Sequence, residues 1–185
     1  MAKKTHTVTV VSCETGGEYG TIREPLESFG IRVIHEAIGR PSDFVDFLSG
    51  ETYFASDCVI FAFHGVNGKF YMPELGENVY YENEPRVNFG AEEINRYYRL
   101  KTSMIINLGC GLGNQALADS FLKKNCNIYI GAKDDIDGPS TDFFAIRFFY
   151  ELCQNKLSEK EAFERARSTD SETMLFEWFQ EEKVQ

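Results

Sequence analysis

Apolar and polar residues alternate along this chain with two different periods. Five short runs of apolar and β-branched residues are bounded by Gly, Pro and polar residues, which is typical of buried strands. Between these runs, apolar residues recur every three or four positions, which is typical of amphipathic helices. The pattern predicts strands over residues 7–13, 31–35, 58–63, 104–108 and 127–130, and helices over residues 21–29, 43–48, 91–98, 115–124, 141–154 and 158–167.

Local signals predict where several of these helices begin and end. Gly30 is well placed to terminate the first helix, and Ser42 is a candidate N-cap for the second. Ser158 and Glu161 form a capping box at the start of the last helix. The helices are therefore delimited by the sequence itself.

Two stretches are harder to interpret. Residues 66–90 are broken by Gly and Pro, and the aromatic pair Tyr80-Tyr81 suggests a β-hairpin there. Residues 174–179 fit either a last edge strand or a short helix.

Strands and helices alternate about five times, with no domain-sized break and no internal repeat. This order predicts one α/β domain over residues 1–185, a three-layer sandwich whose mostly parallel central sheet of about six strands carries helices on both faces. Ligands of such sheets bind at the carboxyl ends of the strands. His64 and Cys110 both follow predicted strands, and we expect them at that edge.

The charge balance excludes some classes of partner. The 185 residues include 19 basic and 29 acidic side chains, which gives a net charge of −10. A phosphate backbone or an anionic membrane would be repelled by such a surface, so nucleic acid and membranes are not expected as partners. No apolar run approaches the roughly 18 residues of a membrane span, and no signal peptide is expected at the N-terminus.

The cysteines indicate a reducing compartment. Five Cys occur at irregular spacing without a CxxC pair. This pattern predicts free thiols in the cytoplasm, with neither a disulfide framework nor a zinc site.

Cys110 and His64 are the candidates for chemistry. Cys110 is predicted just ahead of the helix over residues 115–124, where backbone N–H groups and the helix dipole favour a thiolate. A histidine on the neighbouring strand end can serve as its acid/base partner. The alternatives are a small buried Cys in a tight turn and a core histidine bonded to backbone.

The residues around both candidates resemble a known family. Phe63-His64-Gly65 and Gly109-Cys110-Gly111 resemble the His-Gly and Cys-Gly motifs of the caspase-like cysteine peptidases of clan CD. Cys110 follows His64 by 46 positions, near the roughly 50 of caspases. Downstream, a helix, a strand ending in Ile130-Gly131, an acidic loop and a Phe-rich helix resemble the CHAT branch of that clan. The resemblance covers residues 7–167.

The resemblance implies a mechanism. Cys110 would be the nucleophile and His64 the acid/base, with an acyl-enzyme intermediate and no cofactor or metal. The backbone N–H groups of Gly65 and Cys110 would bind the oxyanion. In relatives the residue two before the Cys lines the specificity pocket, and here that residue is Leu108. Leu108-Gly109 departs from the Ser-Ala, Asp-x or Gln-Ala pairs that are common in the family.

The acidic loop suggests a substrate preference. Asp134, Asp135 and Asp137 follow the fifth predicted strand, at the rim where clan CD pockets are built. We therefore hypothesise cleavage after Arg or Lys in a protein or peptide substrate. The resemblance also allows an activating partner or a homodimer.

Two other interpretations remain open. The heptad LGCGLGN, residues 108–114, also resembles the Gly-rich motif of S-adenosylmethionine-dependent methyltransferases. Only 75 residues follow Cys110, which we expect to be too few for that fold, and Asn107 stands where an acidic residue is usual. A catalytically dormant caspase-like interaction module is the other alternative.

Cys13 lies in a second stretch, SCETG, that also resembles a CHAT cysteine motif. Because Cys13 precedes the histidine in the chain, we interpret this resemblance as a coincidence.

Overall fold

The apolar runs form the strands of one sheet in the computed structural model, which describes residues 6–15 and 17–181. The strands of the protein are β1 (Thr7–Cys13), β2 (Arg32–Ala37), β3 (Cys58–Phe63), β4 (Gly65–Val66), β5 (Lys69–Phe70), β6 (Met104–Asn107), β7 (Ile128–Ala132) and β8 (Phe176–Gln180). Strands β4 and β5 form a separate two-stranded sheet. The helices of the protein are α1 (Glu18–Ser28), α2 (Pro41–Ser49), α3 (Ala91–Tyr97), α4 (Gln115–Leu122), α5 (Gly138–Cys153) and α6 (Glu159–Arg167).

Six strands make up the central sheet in the order β2-β1-β3-β6-β7-β8. The first five run parallel, and β8 pairs antiparallel with β7. Strands β3, β6 and β7 are buried along their whole length, which explains their uninterrupted apolar sequences. The predicted mostly parallel sheet of about six strands is confirmed.

Helices cover both faces of this sheet. Because alternate residues of a strand point to opposite faces, Ile60 contributes to the core under α1, α5 and α6, whereas its neighbour Phe61 contributes to the core under α2, α3 and α4. The predicted three-layer sandwich is therefore confirmed.

The helix ends agree with the sequence at two positions and differ at one. The Ser158–Glu161 capping box is present, and Gly30 ends the first helix with a φ of +85°. Ser42 is not the N-cap of α2, because Pro41 already occupies the first turn and Arg40 is the N-cap. The Ser42 N–H instead donates to Oε1 of Glu84 at 2.9 Å.

The hairpin predicted at Tyr80-Tyr81 is wrong in position. The two short strands β4 and β5 form a hairpin directly after β3 instead, around a turn at Asn67-Gly68. Both turn residues have positive φ, +50° and +71°, as a tight two-residue hairpin turn requires. The guanidinium group of Arg86 lies over the Tyr80 ring, and that of Arg40 lies over the Tyr81 ring.

The irregular segment after the hairpin is anchored by a buried ion pair. Nη2 of Arg40 lies 2.6 Å from Oε2 of Glu84, whose side chain is wholly buried. The same carboxylate accepts the backbone N–H groups of Ser42 and Tyr81. The hydrogen bond from Arg40 is the main cause that lowers the pKa of Glu84 far below its usual value. This pair holds residues 71–90 against the start of α2.

The undecided C-terminal stretch contains both kinds of structure. A 3₁₀ turn over Thr173–Leu175 leads into β8, which is the antiparallel edge of the sheet.

None of the helices in residues 6–15 and 17–181 is long and apolar enough to cross a membrane. Within the same residues no cluster of His, Cys, Asp and Glu is suited to hold a metal ion.

Candidate active site

His64 and Cys110 emerge side by side at the carboxyl edge of the sheet. Their strands β3 and β6 are parallel neighbours, and Phe61 pairs in register with Asn107. His64 lies three positions beyond Phe61, and Cys110 lies three positions beyond Asn107. The sheet register therefore brings the two residues to equivalent places on adjacent strand ends, as the sequence predicts.

The two strand ends are in direct backbone contact. A Cβ atom added to Gly65 would overlap the carbonyl group of Cys110 and touch Leu112. Gly65 is thus required for close approach of the two chains, and any side chain there would push His64 away from Cys110. The N–H groups proposed to bind an oxyanion belong to these two contacting residues.

The thiol of Cys110 has a defined polar environment. Its side chain is half-buried and packs against the core on the α1, α5 and α6 side of the sheet. The N–H of Ile136 donates to Sγ at 3.5 Å, and Sγ lies 3.6 Å from the Ile136 carbonyl oxygen. The sulfur therefore has one backbone donor and one backbone acceptor within reach, both from Ile136.

The backbone group that contacts the thiol belongs to the loop before α5, and the predicted effect of the α4 terminus stays a prediction. Helix α4 covers the opposite face of the sheet from the Cys110 side chain. Ile136, which contacts the sulfur, precedes the first residue of α5 by two positions. The sequence did not identify Ile136, because an isolated apolar residue in an acidic loop carries no signal of contact with a distant Cys.

The other cysteines differ from Cys110 in exposure. Cys13 is buried, and burial, with smaller effects of Glu14 and Asp43, raises its pKa to about 12. Burial also raises the pKa of Cys126 to about 12 and that of Cys58 well above its usual value. Cys153 is buried as well, so of the five free thiols Cys110 is the one that is partly open to solvent.

His35 does not belong to this site. It lies on the edge strand β2, two strands away from β3. Its Nε2 is 2.8 Å from Oγ of Ser12, and its ring stacks on Tyr19 with 3.7 Å between centroids. These contacts fix the position of the ring, and burial is the main cause that lowers the pKa of His35.

A cavity of about 490 Å³ opens at the same edge of the sheet. One wall contains Thr15, whose Oγ1 donates to the carbonyl of Ala62 near the end of β3. Another contains Gly138 and Pro139, which follow the Ile136 contact of the thiol. The lining is mostly apolar, with Phe143 and Ile146, and includes the buried carboxyl group of Asp142.

The predicted specificity residues occupy different environments. Asp134, Asp135 and Asp137 are exposed on the loop that carries Ile136, and the Asp134 carbonyl accepts the N–H of Gly111 at 3.0 Å. Leu108 is 5% exposed and packs in the core beneath the Cys110 side. Asp142 and Thr15 also line this cavity, because the fold brings α5 and the end of β1 together there.

The glycine-rich heptad packs against protein instead of leaving a cradle for a nucleotide. Gly113 is in van der Waals contact with Gly131 at the end of β7, so closely that a Cβ on Gly113 would overlap the Gly131 carbonyl. On the other side, Gly65 fills the space beside Cys110. Gly109 and Gly113 are therefore required for close packing, whereas Gly111 has a positive φ of +64° and open space at its Cβ position.

Comparison with known proteins identifies the fold. No protein-family model and no curated protein sequence matches the chain. Among solved structures, Saccharomyces cerevisiae separase, crystallised with securin, aligns over 97% of this chain at 12% identity with a TM-score of 0.56. A secreted C11 cysteine protease from Bacteroides thetaiotaomicron, in complex with an irreversible peptide inhibitor, aligns over 96% at 9% identity with a TM-score of 0.57. The Arg-specific cysteine proteinase gingipain R aligns over 91% at 14% identity, also with a TM-score of 0.57.

These proteins are cysteine proteases of the caspase-like fold, and this chain has the same fold. The chain spans 12% of the length of the separase chain, 66% of the C11 protease chain and 44% of the gingipain chain. The alignment with each therefore concerns one part of a longer protein.

Proposed function

We propose that this caspase-like chain is a cysteine endopeptidase in which Cys110 is the nucleophile and His64 the general acid/base. The observation that carries the proposal is the matched register of β3 and β6, which brings an exposed imidazole and a half-buried thiol to the same sheet edge. A reactive cysteine must be reachable and ionisable, and among the five thiols Cys110 alone is both partly exposed and bonded to the Ile136 N–H.

The chemistry follows from these positions. His64 takes the proton of the Cys110 thiol, and the sulfur attacks the carbonyl carbon of the scissile peptide. The carbonyl oxygen becomes negative and is stabilised by the N–H groups of Gly65 and Cys110. The C–N bond breaks as His64 gives a proton to the departing amine, which leaves an acyl-enzyme. Water activated by His64 then hydrolyses the thioester and regenerates the thiol. No cofactor is needed for these steps.

Covalent labelling tests this assignment. We expect an acyloxymethyl ketone peptide to modify Cys110, and Cys110→Ala to abolish both the labelling and peptide hydrolysis. His64→Ala should reduce both by about a hundredfold or more, the size of a general acid/base contribution. Cys13→Ala is the matched control, because it removes a buried thiol and should leave labelling intact. Labelling that persists in Cys110→Ala would contradict the proposal, and an inert but well-folded chain would favour the dormant interaction module.

A basic residue before the scissile bond is the substrate class that the charges favour. The mouth of the site carries the exposed Asp134, Asp135 and Asp137, and the neighbouring cavity carries the Asp142 carboxyl group among apolar walls. Apolar walls with one carboxylate suit a long side chain with a cationic end. A peptide library with all residues at that position measures the preference, and selection of acidic or small apolar residues would contradict it.

Association with another protein is proposed as the means of control. Separase is crystallised with securin, and a C11 protease from Parabacteroides distasonis, which aligns over 91% of this chain with a TM-score of 0.53, is described as an inactive zymogen. For this chain we expect an activating partner or a homodimer. Hydrolysis measured over a hundredfold range of protein concentration tests the homodimer, because specific activity that is constant over that range contradicts it.

A further inference from the structure

Two segments of the proposed active site meet at the sheet edge. The histidine hairpin, residues 64–70, begins with His64 and contains β4 and β5, and the cysteine loop, residues 109–114, contains Cys110. The cysteine loop is bonded to the end of β7 through its backbone, because the Gly113 N–H donates to the Ala132 carbonyl at 2.7 Å. Oη of Tyr129 also donates to the Leu112 carbonyl at 2.7 Å. The position of the cysteine loop is thus fixed from the β7 side.

The histidine hairpin has less support of its own. Its two strands contain two residues each, and a hairpin of that size is not stable in isolation. Its base is held by backbone pairing of Phe70 with Phe89. The hairpin turn at Asn67-Gly68, where Asn67 is exposed and Gly68 half-buried, has one hydrogen-bonded anchor on the cysteine loop among the described residues.

Asn114 supplies that anchor. Its Nδ2 lies 3.2 Å from the Gly68 carbonyl in the turn of the hairpin and 3.1 Å from the Gly111 carbonyl in the cysteine loop. Its Oδ1 accepts the Leu117 N–H at 3.0 Å and so caps helix α4. Among the hydrogen bonds between described residues, the one to Gly68 is the bond that joins the histidine hairpin to the cysteine loop.

We propose that Asn114 is a positioning residue, which holds the histidine hairpin against the cysteine loop and thereby sets the His64 imidazole relative to the Cys110 sulfur. The proposal rests on the proposed peptidase function. A primary amide suits this place because it offers two donors to two carbonyls and one acceptor to the helix at the same time. This positioning role also gives a reason for the asparagine that ends the LGCGLGN heptad.

Asn114→Asp separates the two tasks of this side chain. Aspartate is as good an N-cap as asparagine, so the α4 cap is kept. Both donors are lost, and a carboxylate then faces two carbonyl oxygens. Asn114→Ser is a second variant that keeps a capping oxygen without adding charge. Asn125→Asp is the matched control, because it makes the same change of charge at an exposed position.

The measurement is the rate of Cys110 alkylation by iodoacetamide between pH 5 and 9, followed by mass spectrometry of the full-length chain, together with kcat and KM for a peptide substrate. We expect His64→Ala to lower the alkylation rate at pH 6 by about tenfold, since an imidazolium beside the sulfur favours the thiolate. Asn114→Asp and Asn114→Ser should shift the pH profile in the same direction. They should also lower kcat by about ten- to a hundredfold through misplacement of His64, with KM changed by less than about threefold.

The outcomes distinguish the two proposals. If His64→Ala changes the alkylation profile and both Asn114 variants keep the profile and kcat of the unaltered chain, the positioning role is wrong and the peptidase assignment stands. If His64→Ala itself leaves the profile unchanged, the Cys-His pairing is wrong, and the role of Asn114 falls with it. A melting temperature measured for each variant shows whether a loss of kcat reflects unfolding, and a loss that tracks unfolding in both variants overturns the positioning role.

Discussion

At the scale of single residues, the small size of Gly65 and the partial exposure of the Cys110 thiol determine what this site can do. Gly65 allows the backbone after β3 to touch the carbonyl of Cys110, and Ile136 directs an N–H at the sulfur. Neither residue has a reactive side chain. The chemistry proposed for His64 and Cys110 therefore depends on neighbours that act through their backbone.

Gly65→Ala tests the contact between the two strand ends. The added methyl group would overlap the Cys110 carbonyl, so we expect the free energy of unfolding to fall by about 1 to 3 kcal/mol, the usual cost of overpacking. Peptide hydrolysis should be lost even at temperatures where the variant is folded, because the two strand ends must separate. Urea unfolding and labelling of Cys110 measure the two effects.

Gly76→Ala is the control for this substitution. Its added Cβ would lie at an ordinary contact distance, 3.6 Å from Val79. Stability and labelling should both be unchanged. Gly65→Ala with normal labelling would mean that the close approach of the two strands has no part in activity.

At the scale of elements, buried charge holds an irregular segment in place. Residues 71–90 contain no long helix or strand, and the Arg40–Glu84 pair links them to α2. Four hydrogen bonds meet on the Glu84 carboxylate, from Nε and Nη2 of Arg40 and from the N–H groups of Ser42 and Tyr81. These four hydrogen bonds hold the segment in place where regular secondary structure is lacking.

Glu84→Gln should destabilise the chain by about 2 kcal/mol at pH 7, since hydrogen bonds to a charged group are lost. The pKa of Glu84 is lowered in the folded state, so its stabilising contribution is fully present above the usual glutamate value of 4.5 and declines as the pH falls below it. We therefore expect the difference between the two proteins to shrink below about pH 4.5. Urea unfolding at pH 7, 5, 4 and 3 measures it.

Glu77→Gln provides the comparison, because the Glu77–Arg86 pair is exposed to solvent and such pairs contribute little. It should leave the urea midpoint unchanged at every pH. A stability difference for Glu84→Gln that stays constant from pH 7 to pH 3 would contradict the assigned role of its charge.

At the scale of the whole molecule, the parallel sheet gathers the ends of β1, β3, β6 and β7 at one edge. The candidate dyad, the cavity with Asp142 and the acidic loop all lie there, because the loops after parallel strands emerge on the same side. The caspase-like topology thus assembles one site from segments that are far apart in sequence.

This packing also decides against the methyltransferase interpretation. Since Gly65 and Gly131 lie against Gly109 and Gly113, we expect S-adenosylmethionine to produce no change in melting temperature. A true ligand at a hundred times its Kd would stabilise the folded state by about 2.7 kcal/mol, which is easily detected. Any such stabilisation that Asn114→Ser or Gly111→Ala removes would show that the heptad binds a nucleotide after all.

The sequence by itself determined the elements and their order. Strands β1 and β3 were predicted to the residue, because they are short, rich in β-branched and aromatic residues and bounded by Gly and polar residues, which favours a strand over a helix. The same alternation of strands and helices determined the three-layer architecture, and with it the expectation that His64 and Cys110 share an edge. These features depend on local periodicity, which the chain carries residue by residue.

Only the tertiary structure decided which groups surround the thiol. Ile136 follows Cys110 by 26 residues and Asn114 lies 46 residues from Gly68, so neither contact leaves a periodic signal in the sequence. The position of the hairpin and the N-cap of α2 were likewise set by packing between distant segments. Contacts of this kind depend on the register and twist of the whole sheet, which no single stretch of the chain contains.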